Sequence, residues 1–498
     1  QITFFKVVYR RHTNFSMEAI QQTLEGDTDL GKTVSCTISR NGDLVYKMYL
    51  EHSFHYDHPG DSDGPDDCTG MRERYGHSLI KECSIDIGGQ MIDRHPALWH
   101  RVYSDLTEVN PTGYFGGNVT DLSTGHIKIQ GTGTLSQLMT NNTYSLNANL
   151  HEQDFFGGAH TNGNPGGPNM VNGVLYTDEG ANGGVVGHIF LPLNFWFTKN
   201  PGLALPLIAL QYHEVKVSMT FEHEDKMIYT VNDNSNNGIV GEYDRHTNNH
   251  ETTFKLWADY IYLDTDERRR FAQVSHEYLI EQLQYQTNTI SSPTTSIDLI
   301  FNHPIKELIW CSKSIGVNGR NNTLGNISKK TKGREDPTTS EVSLDQMGGN
   351  WKIKLNGHDR FKERDSKYFT RSQVWQHHSG YGALQTRGIY ALGFAGFTNA
   401  SHILGPDASI TKEIGGDSIA VYSFALKPEE HQPSGTCNFS RIDSAQLIGR
   451  DLKIGTSVTK SHTPVSLSSV NVCELTIFAV NYNVLRIMSG MGGLAYSN

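Results

Sequence analysis

One segment of the sequence matches a nucleotide-binding pattern, Gly26-Asp-Thr-Asp-Leu-Gly-Lys-Thr33. In a P-loop, backbone amides and the lysine hold phosphates while the hydroxyl residue binds Mg²⁺. Such a loop must open a helix whose N-terminus faces the anion, yet the next residues, Val34 to Ser39, alternate and are rich in β-branched side chains. Asp27 and Asp29 would also set two carboxylates against the phosphates. The segment is therefore interpreted as a turn between strands.

Histidines are the second group that could do chemistry, since the chain contains 23 of them. His52, His55 and His58 precede an acidic loop, residues 61–67. A spacing of three along a strand puts His52 and His55 on opposite faces, so they cannot easily share one metal ion. The acidic loop lacks the spaced glycine and terminal glutamate of an EF-hand. We predict no metal ligands and no cofactor.

Basic side chains come together in one run within Gly- and Asn-rich sequence: Arg320, Lys329, Lys330, Lys332 and Arg334. No aromatic residues are interleaved to stack on bases, so a solvated loop is favoured over a nucleic-acid site. The whole chain carries 42 Lys and Arg against 53 Asp and Glu, a formal net charge of −11. This balance argues against a surface that grips nucleic acid or an anionic membrane.

Catalytic and targeting signals are also missing from the sequence. There is no Gly-x-Ser-x-Gly motif, and no Ser/His/Asp set can be assembled from the spacing, so we predict no catalytic residues. No run of eighteen apolar residues predicts a membrane span, and the N-terminus lacks the layout of a signal peptide. The six cysteines include no Cys-x-x-Cys pair, which is typical of thiols in a reducing compartment and favours an intracellular place of folding. Since the chain begins at Gln1 without a Met, we expect further residues ahead of it.

Alternating apolar residues bounded by Gly, Asn, Asp or Pro predict a mainly β protein. The clearest predicted strands are Val34–Ser39, Leu44–Leu50, Ile85–Ile87, His126–Ile129, His213–Phe221 and Trp257–Leu263. Helical spacing appears at Pro96–Leu106 and at Asp264–Phe271. Asp264 can cap the second of these, which we predict to be a linker helix.

Similar sequences recur in the same order at an offset of about 260 residues. The matched positions are Ile20 with Ile280, Asn41 with Asn302, Ile85 with Ile353, Phe190 with Phe424, and Trp257–Leu263 with Leu475–Tyr482. The offset shrinks late in the chain because the first half carries a large Gly- and Asn-rich insertion at about residues 155–186. This pattern predicts two tandem all-β domains, residues 1–270 and 271–498.

A β-domain with about eight strands and long loops is best closed as a jelly roll, because long flat edges would otherwise invite aggregation. The predicted fold class is therefore all-β, with two tandem eight-stranded jelly-roll barrels and a few short helices in the loops and linker.

Three segments resemble the major capsid proteins of nucleocytoplasmic large DNA viruses, with the algal-virus and mimivirus-like branch the most similar. They are Gln1–Phe15, the link Leu263–Gln273, and Ser423–Asp443, which together extend the resemblance over the whole chain. Within the third segment, Pro433–Thr436 is predicted to be a turn. Phe439 and Ile442 are predicted to supply the apolar side of the next strand.

The resemblance implies a double jelly roll whose homotrimers look hexagonal and form the capsid shell of a large icosahedral dsDNA virus around an internal membrane. The implied partners are other copies in the trimer and in neighbouring capsomers, together with minor capsid and penton proteins. The resemblance implies neither direct nucleic-acid contact nor membrane insertion, and it places the protein in the virion after assembly in the host cytoplasm. By analogy, the insertion near residues 155–186 decorates the outer face of the shell.

The resulting hypothesis is a structural capsid protein that is not an enzyme. Two alternative functions remain at this stage: a P-loop NTPase using Gly26–Thr33, and a double-barrel carbohydrate-binding protein.

Overall fold

The structure is a computed structural model that describes residues 14–56, 67–71, 75–108, 117–120, 127–130, 169–171, 174–177, 184–223, 228–232, 239–241, 250–314, 348–380, 382, 419–452 and 473–496. Two groups of strands follow one another along the chain, here called the first unit (residues 15–263) and the second unit (residues 276–494). The strands of the first unit are β1 (Phe15–Gln22), β2 (Thr33–Thr37), β3 (Leu44–Tyr56), β4 (Asp67–Met71), β5 (Ile80–Ile87), β6 (Gln90–Pro96), β7 (Gly117–Thr120), β8 (Ile127–Gln130), β9 (Asn169–Val171), β10 (Val174–Thr177), β11 (Gly184–Pro192), β12 (Leu205–Pro206), β13 (Val215–Phe221), β14 (Ile228–Asn232), β15 (Ile239–Gly241) and β16 (His250–Leu263).

The second unit has its own set of strands. They are β17 (His276–Ile290), β18 (Thr295–Asp298), β19 (Pro304–Ser314), β20 (Asn350–Leu355), β21 (His358–Asp359), β22 (Arg364–Asp365), β23 (Ile419–Ser423), β24 (Cys437–Asn438), β25 (Ala445–Arg450), β26 (Cys473–Met488) and β27 (Met491–Leu494). The α-helices of the described chain are α1 (Tyr75–Leu79), α2 (Ala97–Thr107), α3 (Trp196–Lys199), α4 (Thr265–Gln273) and α5 (Gln373–His377). A π-helix, Tyr368–Ser372, leads directly into α5.

Each unit contains a larger and a smaller antiparallel sheet with the same strand order. In the first unit the larger sheet runs β1-β16-β3-β11 and continues into β10 and β9, and the smaller sheet runs β2-β13-β5-β6. In the second unit the larger sheet runs β17-β26-β19-β23 and the smaller one β18-β25-β20-β21. The two-residue strands also correspond between the units, since β12 pairs with β3 and β24 pairs with β19.

This duplication confirms the repeat that the sequence predicted. Ile20 lies in β1 and Ile280 in β17, and each of these strands pairs with the long last strand of the larger sheet. The hairpin predicted at Ile85 is β5–β6, and its counterpart at Ile353 is β20–β21. The prediction of a mainly β chain with tandem, similar sheet pairs is therefore correct.

The predicted helices also form, with small shifts at their ends. The first is α2, for which Pro96 is the N-cap, and the second is α4, where the Asp264 side chain accepts a hydrogen bond from the backbone NH of Thr265. Helix α4 has no buried residue, yet it is fixed to the first unit because Arg268 Nε donates to Asp43 Oδ1 at 2.8 Å. The link between the units is thus a short, capped and anchored helix.

Two sequence predictions need correction or lie beyond the described chain. Phe439 and Ile442 do not belong to a strand: Phe439 is buried in a 3₁₀ turn, Phe439–Arg441, and Ile442 follows that turn. The apolar side of the next strand, β25, is supplied by Ala445 and Leu447 instead. Most of the insertion at about residues 155–186 lies outside the described residues, apart from β9, β10 and the start of β11, which extend the larger sheet.

Two large apolar cores fill the space between the sheets, and each includes side chains from the other unit. The core of the first unit contains Ile280, Leu485 and Ile487 of the second. The core of the second unit contains buried side chains of α2, which belongs to the first. The two units therefore exchange apolar side chains across their contact.

Candidate functional site: a charged interface between the units

The P-loop-like segment Gly26–Thr33 is a turn between β1 and β2, as interpreted from the sequence. Glu25 and Ser35 exchange two backbone hydrogen bonds of 2.7 and 3.0 Å across it, and Thr33 begins a strand. Lys32 Nζ lies 3.8 Å from Asp27 Oδ2. A strand offers no cluster of free amides at a helix N-terminus, so this segment lacks the part of a P-loop that holds phosphate.

His52 is the residue of the histidine motif whose side chain the structure describes, and it lies in the core of the first unit. His52 is fully buried, its Nδ1 lies 3.0 Å from the Thr253 carbonyl oxygen, and its ring stacks on Phe254. Burial lowers the pKa of His52 to about 3, which keeps the ring neutral. In the described part of the chain no group of three His, Cys, Asp or Glu side chains could hold a metal ion. His58, residues 61–66 and the basic run 320–334 lie outside that part.

The structure instead brings chemistry-bearing residues together where the two units meet. Helix α2 forms because apolar residues recur at helical spacing after Pro96, and it buries Trp99, Val102 and Leu106 in the core of the second unit. The Trp99 ring centroid lies 5.3 Å from that of Phe478 in β26. Helix α2 thus joins the units through an apolar face.

A buried carboxylate beside α2 binds two ammonium groups. Glu281 of β17 accepts from Lys306 Nζ at 2.6 Å and from Lys199 Nζ at 3.2 Å, and Lys199 comes from α3 of the first unit. Burial alone would raise the pKa of Glu281, but the two lysines outweigh it and lower the pKa to about 2. Lys199 also lies over the Tyr103 ring, 4.6 Å from its centroid. This ion triad connects both units.

A second ion cluster lies beside the first one. His378, whose side chain is 1% exposed, has Nε2 3.0 Å from Glu307 Oε2 and Nδ1 3.0 Å from Glu429 Oε1. Burial opposes the charged imidazolium, but the two carboxylates outweigh it and raise the pKa of His378 to about 9. The same contact keeps the pKa of Glu307 below its usual value. The ring is therefore an imidazolium at neutral pH, held between two carboxylates.

The segment that follows α5 is bonded directly to the end of α2. The NH groups of Gly380 and Gly382 donate to the carbonyl oxygens of Leu106 and Asp105 at 2.7 and 2.8 Å. Ser379 Oγ donates to the Thr107 carbonyl oxygen at 2.7 Å. A Cβ atom on Gly380 would lie 2.5 Å from the Asp105 carbonyl oxygen, so only glycine allows this approach.

The β17 strand and the β26–β27 hairpin make further contacts with the first unit. The backbone NH of Leu283 donates to Asp93 Oδ1 at 3.0 Å, and the NH of Tyr212 donates to the Gly490 carbonyl oxygen at 2.9 Å. A Cβ atom on Gly490 would lie 2.6 Å from the Tyr212 ring. The interface is therefore closely packed at several separate points.

A cleft of about 570 Å³ lies between the units and is lined by both ion clusters and by aromatic side chains. Glu281 and Glu307 beside it have lowered pKa values and contact cations, which leaves them poorly suited to act as general bases. The arrangement fixes one unit against the other, because removing Glu281 or His378 would leave buried charges uncompensated. The ion clusters of the cleft therefore have a structural role, which is to hold the two units together.

The sequence interpretation missed these interface residues, although part of the signal was present. Glu281 follows Ile280 in an apolar strand, and Lys306 and Glu307 interrupt the apolar run of β19. Charged residues within buried strands are rare unless they are paired, so these positions point to a partner. The partner itself, such as Lys199, depends on how the two units pack.

Comparisons with known proteins agree along the whole chain. Residues 3–264 match the family described as major capsid protein N-terminus, and residues 267–402 and 408–493 match the large eukaryotic DNA virus major capsid protein family. The chain is 40% identical to the major capsid protein of Pyramimonas orientalis virus, covering all of this chain and 94% of that protein. It is 34% identical to the major capsid protein of Paramecium bursaria Chlorella virus 1, covering all of this chain and 95% of that protein.

Solved structures give the same result for the fold. The quasi-atomic structure of the PBCV-1 virus capsid matches with a TM-score of 0.62 and 31% identity, covering both chains completely. The Faustovirus major capsid protein matches with a TM-score of 0.55 at 12% identity, covering 98% of this chain and 93% of that one. The predicted double jelly roll is thereby confirmed. No helix in the described residues is long and apolar enough to cross a membrane.

Proposed function

The chain belongs to the major capsid proteins of large eukaryotic DNA viruses, and we propose that three copies form a pseudo-hexagonal capsomer of an icosahedral shell. Its function is structural, it is not an enzyme, and it is a component of the virion capsid. Neither alternative, the P-loop NTPase or the carbohydrate-binding protein, is supported.

The identical strand order of the two units is the observation that supports the trimer. Three chains with two similar units each present six near-equivalent units, which suits a position surrounded by six neighbours in a lattice. Such a ring requires a fixed angle between the units of one chain. The ion clusters at Glu281 and His378 and the close approach at Gly380 supply that rigidity.

Several finer features belong to the same proposal. We assign the two barrels to residues 1–270 and 271–498, since α4 separates the last strand of one unit from the first strand of the next. The partners are neighbouring capsomers and minor capsid and penton proteins, and assembly takes place in the host cytoplasm. The net charge of −11 favours a shell protein without direct nucleic-acid contact or membrane insertion.

The mass of the purified protein in solution tests the proposal. We expect light scattering to give three times the chain mass of 55.6 kDa, and negative-stain images to show particles with a hexagonal outline. A particle of one chain at all concentrations and ionic strengths would contradict it.

A further inference from the structure

Helix α2 contacts the two units with different kinds of side chain. Its apolar face lies in the core of the second unit, as described above. The helix also packs against α1, β5 and β6 of the first unit, and its remaining buried side chains are polar. These polar side chains belong to His100, Arg101, Ser104 and Asp105, which are all at most 4% exposed. The helix therefore carries buried groups that can take up or hold charge.

His100 is buried without a hydrogen bond. It is 1% exposed, and neither of its ring nitrogens has a partner among the described residues. The hydroxyl group of Ser104, one turn further along α2, is likewise unpaired within the described chain. A polar group that is buried without a partner destabilises the folded state, so an apolar ring of similar shape would pack better here. The imidazole ring, unlike an apolar ring, can bind a proton.

Strand β6 places a second histidine beside His100. The ring centroids of His95 and His100 lie 6.2 Å apart, with the planes at 84°. His95 Nε2 lies 2.9 Å from Asp93 Oδ2, and Asp93 Oδ1 accepts a hydrogen bond from the backbone NH of Leu283 in the second unit. Both oxygens of the Asp93 carboxylate are therefore engaged, so this carboxylate is not available to a proton-carrying His100.

The elements packed around α2 contribute further charged and titratable groups. They are His77 of α1, Cys83 of β5, Asp105 with Arg101 on α2 itself, and Lys199 of α3 with Glu281. Each carboxylate in this set accepts a hydrogen bond from a cation, and burial raises the pKa of the Cys83 thiol, which stays neutral. A proton on His100 would thus add uncompensated charge to a buried site. Burial and His95 accordingly lower the pKa of His100 to about 3.

We propose that α2 is an acid-sensitive latch, in which protonation of His100 releases the helix from the first unit while its apolar face stays in the second. The released imidazolium is solvated by water, which removes the penalty of burying its charge. The ring is neutral in the closed state, so the closed state is fully favoured above pH 6.5. Each pH unit below that should favour release by about tenfold, until the pH reaches about 3.

Helix α2 stays with the second unit because the contacts on that side do not titrate. Trp99 is packed against Phe478, and the end of the helix accepts hydrogen bonds from the backbone NH groups of Gly380 and Gly382. Acid would therefore uncouple the two units at the contact between α2 and β6. The latch acts within one chain, so it goes beyond the proposed trimer and does not depend on it.

Two buried cysteines report on the two sides of the latch. Cys83 of β5 lies opposite His95 in the core of the first unit, and Cys311 of β19 lies in the core of the second. Both are free thiols with no exposed surface. The full chain is labelled with dithiodipyridine between pH 7 and 4, and each rate is normalised to that of a small free thiol. We expect labelling of Cys83 to accelerate by about tenfold per pH unit below 6.5, while Cys311 stays protected.

A matched pair of histidine variants assigns the acid response. His100→Phe should keep the labelling rate of Cys83 at its neutral-pH value down to pH 4. His52→Phe removes another buried histidine of the first unit whose pKa is lowered to about 3, but one that stacks on Phe254 of β16, and it should leave the acceleration unchanged. Circular dichroism at pH 7 checks that each variant is folded, and His100→Leu replaces His100→Phe if the latter is not.

Three results would overturn the latch and leave the proposed trimer intact. The first is equal labelling of Cys83 and Cys311 in acid, which would show that the whole chain unfolds. The second is an acid response of Cys83 that survives His100→Phe or is suppressed equally by His52→Phe. The third is protection of Cys83 in the unaltered chain at every pH down to 4.

Discussion

The two units have the same sheets but bury them differently. In the second unit, β26 is buried on both faces from Leu475 to Asn483, because α2 and other parts of the first unit cover the outer face. In the first unit, β16 alternates between buried and partly exposed residues from Phe254 to Tyr260. The same strand topology therefore serves once as a two-sided core sheet and once as a sheet with one open face.

This difference is already visible in the amino-acid sequence. The run Leu475-Thr-Ile-Phe-Ala-Val480 is apolar almost throughout, as expected for a strand covered on both faces. The corresponding part of β16, Lys255-Leu-Trp-Ala-Asp259, alternates with charged residues. The comparison teaches that a strand can keep its place in a fold while its outer face is adapted to a particular neighbour.

The largest expected contrast is between two helical tryptophans, Trp99, which is buried between the units, and Trp375, which is exposed. Trp99→Ala should lower the free energy of unfolding by about 3–5 kcal/mol, because it leaves a cavity between the units. Trp375→Ala should change it by less than about 0.5 kcal/mol in single chains, since the side chain is exposed. Urea unfolding measures both. Equal losses would show that α2 and α5 do not differ as described.

The ion triad around Glu281 gives a second contrast, between a buried and an exposed glutamate of β17. Glu281→Gln should destabilise the chain by about 3–5 kcal/mol, because Lys306 is left buried with an uncompensated charge. Glu277→Gln is the matched control in β17, where the carboxylate pairs with Arg486 at the exposed surface. Its effect should stay below about 1 kcal/mol. Denaturant unfolding compares the two, and a similar small loss in both would argue against a buried ion triad.

The pH dependence should distinguish His378 from His100 of α2, because their pKa values are shifted in opposite directions. The folded-state pKa of His378 is raised to about 9, so its contribution is complete below its ordinary pKa near 6.5 and is lost as the pH rises through 9. Burial and the neighbouring His95 lower the pKa of His100 to about 3, so its contribution is present above pH 6.5 and is lost as the pH falls towards 3. Each slope should reach at most about 1.4 kcal/mol per pH unit.

Thermal unfolding between pH 4 and 10 measures these two slopes. His378→Asn should flatten the alkaline side only, and His100→Phe should reduce the acid side only. An alkaline slope that survives His378→Asn would assign that titration to another group.

The smallest expected contrast concerns two glycines of the second unit that face the first. Gly380→Ala should cost about 1–3 kcal/mol, because its Cβ would meet backbone atoms of Asp105 and Leu106. Gly493→Ala should cost about 0.5 kcal/mol or less, since its Cβ would meet only the flexible end of Gln90 at 3.4 Å. The difference in midpoint of urea unfolding is the measurement, and an unaffected Gly380→Ala protein would contradict the close approach.

The sequence was informative about local structure and about repetition. The alternation of apolar residues and the helix starts at Pro96 and Asp264 depend on nearby residues, and the repeat depends on similarity between the two halves of the chain. Each of these signals corresponds to an element of the structure. Phe439 was misassigned because an apolar residue after a turn fits a 3₁₀ turn as well as a strand. These features required no knowledge of how the units pack.

The interface could not be predicted in the same way. The pattern of α2 identifies an apolar face at Trp99 but does not say which core receives it. The pairing of Lys199 with Glu281 joins residues 82 positions apart, and it depends on the angle between two folded units. Sequence alternation reports burial, whereas the partner that causes burial is a property of the packed chain.

The exchange of apolar side chains between the cores has a consequence for synthesis on the ribosome. The first sheet cannot close before β16 has emerged, and its core still lacks Leu485 and Ile487, which are translated much later. At about 5–20 residues per second, the nascent first unit waits roughly 10–45 seconds with part of its core uncovered. Full-length translation, and protection of the nascent chain until then, are therefore conditions for making a soluble subunit.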